Sequence, residues 1–339
     1  MEIIKRFINR REATSIIFLL VLFAAVGMVN PTFLEADNIM LCLNGAAVYT
    51  ICAIGMAFVI FTGEIDASIG ATLGLSAAVA ATMVRDGSGF MAAVVVAVVI
   101  GIIIGLINGI GVAVLKVPSI IMTIGVCSIV RGLSYVYTGG AWVENVPKEF
   151  KDLSQLGLGG LSWMYIGTIL VMLAVYLFVT KTKHGKYFHT VGDNAEGATH
   201  LGIPVNKTRL ISFVICAVCA SLAAVVFVSR IGFVTPTSGN GYEMKAIAAC
   251  VIGGISLSGG IGNVIGATFG ALIMASISRI LVFLGFSSNY DNTITGILLI
   301  TIVVFDAIMQ HRNAERARRE RLAARTEEVV ESKMAGGNI

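Results

Sequence analysis

Few residues in this chain could do chemistry, because ionisable side chains are sparse within its long apolar runs. Arg131 stands in Ser128-Ile129-Val130-Arg131-Gly132, well inside an apolar stretch. A guanidinium there must pair with a carboxylate or with carbonyls, or face water. It either lines a path or locks two helices together. Glu64 and Asp66 lie in Gly63-Glu64-Ile65-Asp66-Ala67-Ser68, between two further apolar stretches. Such carboxylates face a cavity, unless the turn sits at the membrane surface and the charges are solvated. They make no catalytic dyad, since residues two apart on a helix do not share a face. With Glu243 and Asp306 they are the acids that an ion-coupled carrier working alone could use.

Ser256 and Ser258 precede Gly259-Gly260 and have no base at hand. Neither H-E-x-x-H nor G-x-S-x-G occurs, which weighs against an intramembrane hydrolase. Gly185-Lys186 is no phosphate loop: Thr180 and Tyr187 occupy the positions that need Gly and Ser or Thr. The chain is therefore read as having no nucleotide site, cofactor, metal or catalytic residue of its own. His184, His189, His200 and His311 show no metal-ligand spacing and read as surface residues. The six cysteines, Cys216-x-x-Cys219 among them, lie in apolar stretches and read as buried packing residues.

The elements that hold these residues must be membrane helices. Of 339 residues, 56% are hydrophobic and 13% charged, against about 25% charged in soluble domains. A helix that crosses the hydrocarbon needs about 20 mostly apolar residues. Segments near 14–29, 39–62, 67–84, 90–115, 118–138, 162–180, 208–229, 246–258, 263–286 and 293–310 approach that length, the eighth being short and Gly-rich. The expected fold is an all-α, polytopic transmembrane bundle of about ten spans over residues 1–310. A charged tail follows over 311–339, either solvated or touching membrane lipid.

Lys and Arg concentrate in cytoplasmic loops. With the N-terminus inside, the inner segments hold Lys5, Arg6, Arg10, Arg11, Lys116, a basic cluster from Lys181 to Arg209, and the tail arginines. The outer loops hold few basic residues: Arg85, Lys148, Lys151, Arg230 and Lys245. Both termini are therefore expected in the cytoplasm.

Two Gly-rich stretches match. Gly63-x-Ile65-x-x-Ser68 followed by Ile69-Gly70-Ala71-Thr72-x-Gly74 corresponds to Gly253-x-Ile255-x-x-Ser258 followed by Ile265-Gly266-Ala267-Thr268-x-Gly270. Internal repeats with Gly-broken apolar segments are a mark of transporters, so both stretches should be buried near the centre. The longest inner connection, 181–207, should hold a short helix capped by Asp193 or Asn194 and ended by Gly202 and Pro204. Such a helix could dock a soluble partner.

Over nearly its whole length the chain resembles the ribose/xylose/arabinose-type permeases of bacterial ATP-binding-cassette importers. The matching motifs come in the family's order. They are Gly63 to Gly70, Arg131-Gly132 with Thr138-Gly139-Gly140, and Val191-Gly192-Asp193-Asn194-Ala195-Glu196-Gly197-Ala198 with Gly202-Ile203. The last runs from Pro236-Thr237-Ser238-Gly239-Asn240-Gly241-Tyr242-Glu243 through Gly253-Gly254-Ile255-Ser256-Leu257-Ser258-Gly259-Gly260 to Gly262. Glu64 departs from that family's usual Gly, and Arg279 from its frequent Asn.

The resemblance implies a bacterial inner-membrane importer of a monosaccharide or similar small polar solute. Its partners would be a second permease (identical or paralogous), a cytoplasmic ATPase that carries the ATP and Mg, and an extracytoplasmic solute-binding protein, with no nucleic acid. It places Glu64, Asp66, Ser68, Arg131, Glu243, Ser256 and Ser258 along the path. It also makes the 192–203 segment, with Gly192, Asn194, Glu196, Ala198 and Gly202, the element coupled to the ATPase.

Overall fold

A computed structural model describes residues 11–304, 307–308 and 315 of the chain. It divides into two compact units, residues 1–296 and residues 297–339. In order, the helices are α1 (Arg11–Val29), α2 (Ala36–Phe61), α3 (Ile69–Arg85), α4 (Phe90–Gly109), α5 (Ser119–Thr138), α6 (Lys148–Gln155), α7 (Trp163–Lys181), α8 (Lys183–Asp193), α9 (Ala195–His200), α10 (Val205–Ile231), α11 (Tyr242–Ile252), α12 (Val264–Phe283) and α13 (Asp291–Val304). A π turn, Ile110–Val114, extends α4. Among the described residues, beta structure is confined to a hairpin pairing Gly157–Leu158 with Leu161–Ser162 and to a bridge between Val143 and Val234.

Among the described residues, six helices are long and apolar enough to cross a membrane: α2, α4 with its π turn, α5, α7, α10 and α12. Three shorter apolar helices lie over Thr14–Val29, Ile69–Arg85 and Asp291–Val304. The eighth expected span is displaced. Its helix begins at Tyr242 and stops at Ile252, so its 11 residues rise only about 16 Å. Gly253 and Gly254, the latter at φ +84°, end it before 258.

The bundle has an inside and an outside of a kind that water would not allow. α2 and α10 are apolar and mostly buried, and they form its centre with α12. α4, α5 and α7 are just as apolar, yet they turn most of their surface outward. Val95, Val99, Ile103, Leu106 and Ile110 make an exposed stripe on α4. A stripe of that kind belongs against lipid. The opposite face of α4 carries Gly101, Gly105 and Gly109 at four-residue spacing. A Cβ on any of them would meet the α10 backbone at Ala217, Phe213 and Leu210 respectively. Small residues so placed let two membrane helices touch backbone to backbone.

Five cysteines are buried and Cys127 is partly so; all six are free. The packing role expected of them holds.

Candidate translocation and coupling site

The first Gly-rich break begins where Thr62 ends α2 by donating its hydroxyl to the Val59 carbonyl, 2.8 Å away. Gly63 then turns the chain at φ +78°. The backbone amides freed by the break are met by side chains of α5. The Ile65 N–H donates to Ser119 Oγ (3.3 Å) and that of Ala67 to Thr123 Oγ1 (3.0 Å). Backbone groups that leave a helix inside a packed bundle need such partners.

Asp66 and Ser68 are both fully buried. Asp66 Oδ1 accepts from the Ser68 N–H (2.8 Å) and the Ser68 hydroxyl (2.7 Å), and Asn108 Nδ2 donates to Ser68 Oγ (2.8 Å). These bonds brace the turn that leads into α3 and tie it to α4. An Asp66→Ala variant loses both bonds and leaves Ser68 short of its partner, so it should unfold about 1–3 kcal/mol more easily. Asp66→Asn keeps an accepting oxygen and should lose much less; thermal unfolding in detergent reads the difference.

The other residues expected along a path divide between two ion pairs and the second break. Glu64 sits beside Arg209 of α10 at 3.4 Å. Arg131 meets Glu243 at 3.5 Å, joining α5 to the first turn of α11, where Glu243 Oε1 also accepts from the Gly241 N–H. Ser256 is buried and Ser258 exposed. So Arg131 and Glu243 come together, and Asp66 and Ser68 come together; Glu243 also lies against Gly70, two residues beyond Ser68, while Glu64 pairs with Arg209.

One charged contact was not expected. Lys245, read above as an outer-loop charge, is buried in α11 and donates to Asp291. Asp291 also accepts from Ser278 Oγ at 2.7 Å, and the ammonium lies 5.3 Å from the centre of the Tyr49 ring. The carboxylate and the ring are what make burial of this lysine tolerable.

The 181–207 connection holds two helices, one more than its sequence suggests. Thr182 caps α8, its Oγ1 accepting from the Gly185 N–H (2.9 Å); Asn194 caps α9, its Oδ1 accepting from the Gly197 N–H (2.8 Å). Gly202 ends α9 at φ +74°, as expected. Asn194, Glu196 and Gly202 face outward, with Leu201, which is 75% exposed. Ala198 is buried and supports the elbow from within.

Gly192 lies against both Gly-rich breaks. A Cβ there would overlap the Phe61 carbonyl oxygen and come within 2.5 Å of the Gly260 nitrogen. The Gly260 N–H itself donates to Phe61 O at 3.0 Å. Three backbones, from α2, from α8 and from the segment after α11, thus meet at one point. His189 is no surface residue: its ring stacks on Phe61 at 4.1 Å, and its Nε2 lies 3.1 Å from the Gly262 carbonyl. Burial pushes the imidazole below its ordinary value and the Gly262 carbonyl pulls the other way. A neutral ring that donates from Nε2 fits that geometry.

A bundle of apolar helices with polar breaks and a capped elbow is the anatomy of a membrane permease. Residues 38–303 match the family described as "Branched-chain amino acid transport system / permease component", and the chain belongs to this family of importer permeases. It is 35% identical over 325 residues, 95% of this chain and 92% of the relative, to the autoinducer 2 import system permease protein LsrC of Yersinia pestis (strain Pestoides F). To the protein of that name from Yersinia pseudotuberculosis serotype O:1b it is 36% identical, over 94% of this chain and 91% of the relative. No solved structure matches the chain.

Proposed function

We propose that this permease carries a small, hydroxyl-rich, sugar-like solute into the bacterial cytoplasm, paired with a second permease subunit and driven by a separate ATPase. The observation that carries the reading is the α8–α9 elbow. Its outer face, with Glu196 and Leu201, is open to a soluble partner, while its inner face is keyed through Gly192 into both Gly-rich breaks. A push on that outer face has a direct route to the breaks. The relatives' printed role, import of autoinducer 2, supports import as the direction of transport.

The rest of the reading follows from it. Both termini and the elbow lie on the cytoplasmic side of the inner membrane. Six long and three shorter apolar helices, with α11 and the break after it, supply the ten crossings. The α2–α3 and α11–α12 pairs are halves of an internal duplication. An extracytoplasmic binding protein delivers the solute, which passes the face that holds Arg131 and Glu243. Asn194, Glu196 and Gly202 meet the ATPase, and ATP and Mg are held there. The charged tail over 311–339, solvated or in contact with membrane lipid, lies almost wholly outside the described residues.

Uptake of ribose, xylose and arabinose into proteoliposomes tests this. Uptake of at least one sugar should require the binding protein, the ATPase and ATP together. Uptake by this chain alone, down a proton or sodium gradient, would sink the proposal.

A further inference from the structure

We infer that His189 is the positioning residue through which movement of the elbow reaches both Gly-rich breaks at once, so that it sets how much transport each ATP hydrolysed yields. The inference rests on the reading of the α8–α9 elbow as the ATPase contact.

The junction around it is nearly bare of side chains. Gly63, Gly192, Gly259 and Gly260 bring their backbones together, and a Cβ on Gly259 would meet both Gly63 and Gly192 at about van der Waals overlap, 2.8–3.0 Å. Backbones so close resist compression, but smooth surfaces resist sliding poorly. A push along the membrane plane needs something that grips. His189 grips in two ways that chemistry can separate. The face of its ring lies on Phe61, the last residue of α2, tilted by only 29°. Its edge reaches the Gly262 carbonyl in the second break.

The helix behind the ring is held as one piece. Phe188 and Val191 are buried beside it, and Phe188 meets Phe58 edge to face at 4.9 Å. Asn194 ends α8, its N–H donating to the Thr190 carbonyl at 3.1 Å, and begins α9 with its side chain. Displacing α9 therefore carries α8 and the imidazole with it. The two breaks then move together.

The test uses the full complex in proteoliposomes, with whichever of ribose, xylose and arabinose the wild-type complex takes up. Uptake and ATP hydrolysis are measured in the same vesicles. His189→Ala should still bind the ATPase, seen by co-elution, and hydrolyse ATP near the wild-type rate. Its transport per ATP should fall about tenfold, within the usual range of coupling between sites. His189→Gln keeps an amide N–H for Gly262 and His189→Phe keeps the stack, so each should fall between Ala and wild type.

An unchanged ratio in all three variants overturns the inference. So does a loss of hydrolysis and uptake in equal proportion, which would mark His189 as merely structural. Should the Ala variant fail to fold, the Gln and Phe ratios decide alone. If the wild-type complex shows no ATP-dependent uptake, the permease–ATPase reading itself fails, which is a separate result.

Discussion

Gly192→Ala should cost about 3 kcal/mol of stability, the upper part of the usual overpacking range, and remove ATP-driven uptake. The added methyl overlaps a main-chain oxygen, that of Phe61, and main chain cannot rotate away as a side-chain tip can. Relief requires that α8 lift off the end of α2 or that the Gly260–Phe61 hydrogen bond open. Either change uncouples the elbow from the breaks. Two control glycines sharpen the result. Gly125→Ala puts its methyl into open space in mid-α5 and should leave uptake unchanged and raise stability by about 0.5–1 kcal/mol. Gly202→Ala also meets no atom, but its φ of +74° should cost about 1–2 kcal/mol through backbone strain alone. Thermal unfolding in detergent, beside uptake in vesicles, orders the three. A Gly192→Ala protein as stable as Gly125→Ala would mean that the junction is slacker than its geometry states.

The second large effect is expected at Lys245. Lys245→Met should destabilise the protein by about 3–5 kcal/mol, the usual result of removing one member of a buried pair. The loss comes less from the missing bond than from Asp291, left charged with only Ser278 to donate to it. A Lys245→Met/Asp291→Leu double variant removes both charges and should recover most of the loss. Unfolding of the two single variants and the double variant closes the cycle. Additive losses would show that the pair does not hold α11 to its neighbours.

The two cases also show what the sequence could and could not disclose. The long helices were legible because lipid demands about 20 apolar residues in a row, and α2, α4, α5, α7, α10 and α12 meet that demand without help. The elbow's cap at Asn194 and stop at Gly202 were legible because both depend on local backbone geometry. The Lys245–Asp291 pair was hidden because its members stand 46 residues apart and nothing local marks them as partners. A lysine two residues after a cap-like Gly-Tyr-Glu, within an apolar run, was the available clue that it lay in a helix. The place of His189 was hidden for the same reason: stacking on Phe61 depends on how α2 and α8 meet. The glycines showed that backbones come close, but not which ones. The eighth span was misplaced because Gly253 and Gly254 end a helix that hydrophobicity alone would carry to 258.

The burial of the cysteines opens an experimental route. Five of the six thiols are shut inside the bundle, and the sixth, Cys127, is partly open. It stands four residues before Arg131 on α5, hence on the same helical face. The natural chain thus has a near-silent background for thiol labelling, with one reporter built in one turn from the Arg131–Glu243 pair. Maleimide reactivity of Cys127, followed through the ATP cycle, would report when that face opens to water without a single engineered residue.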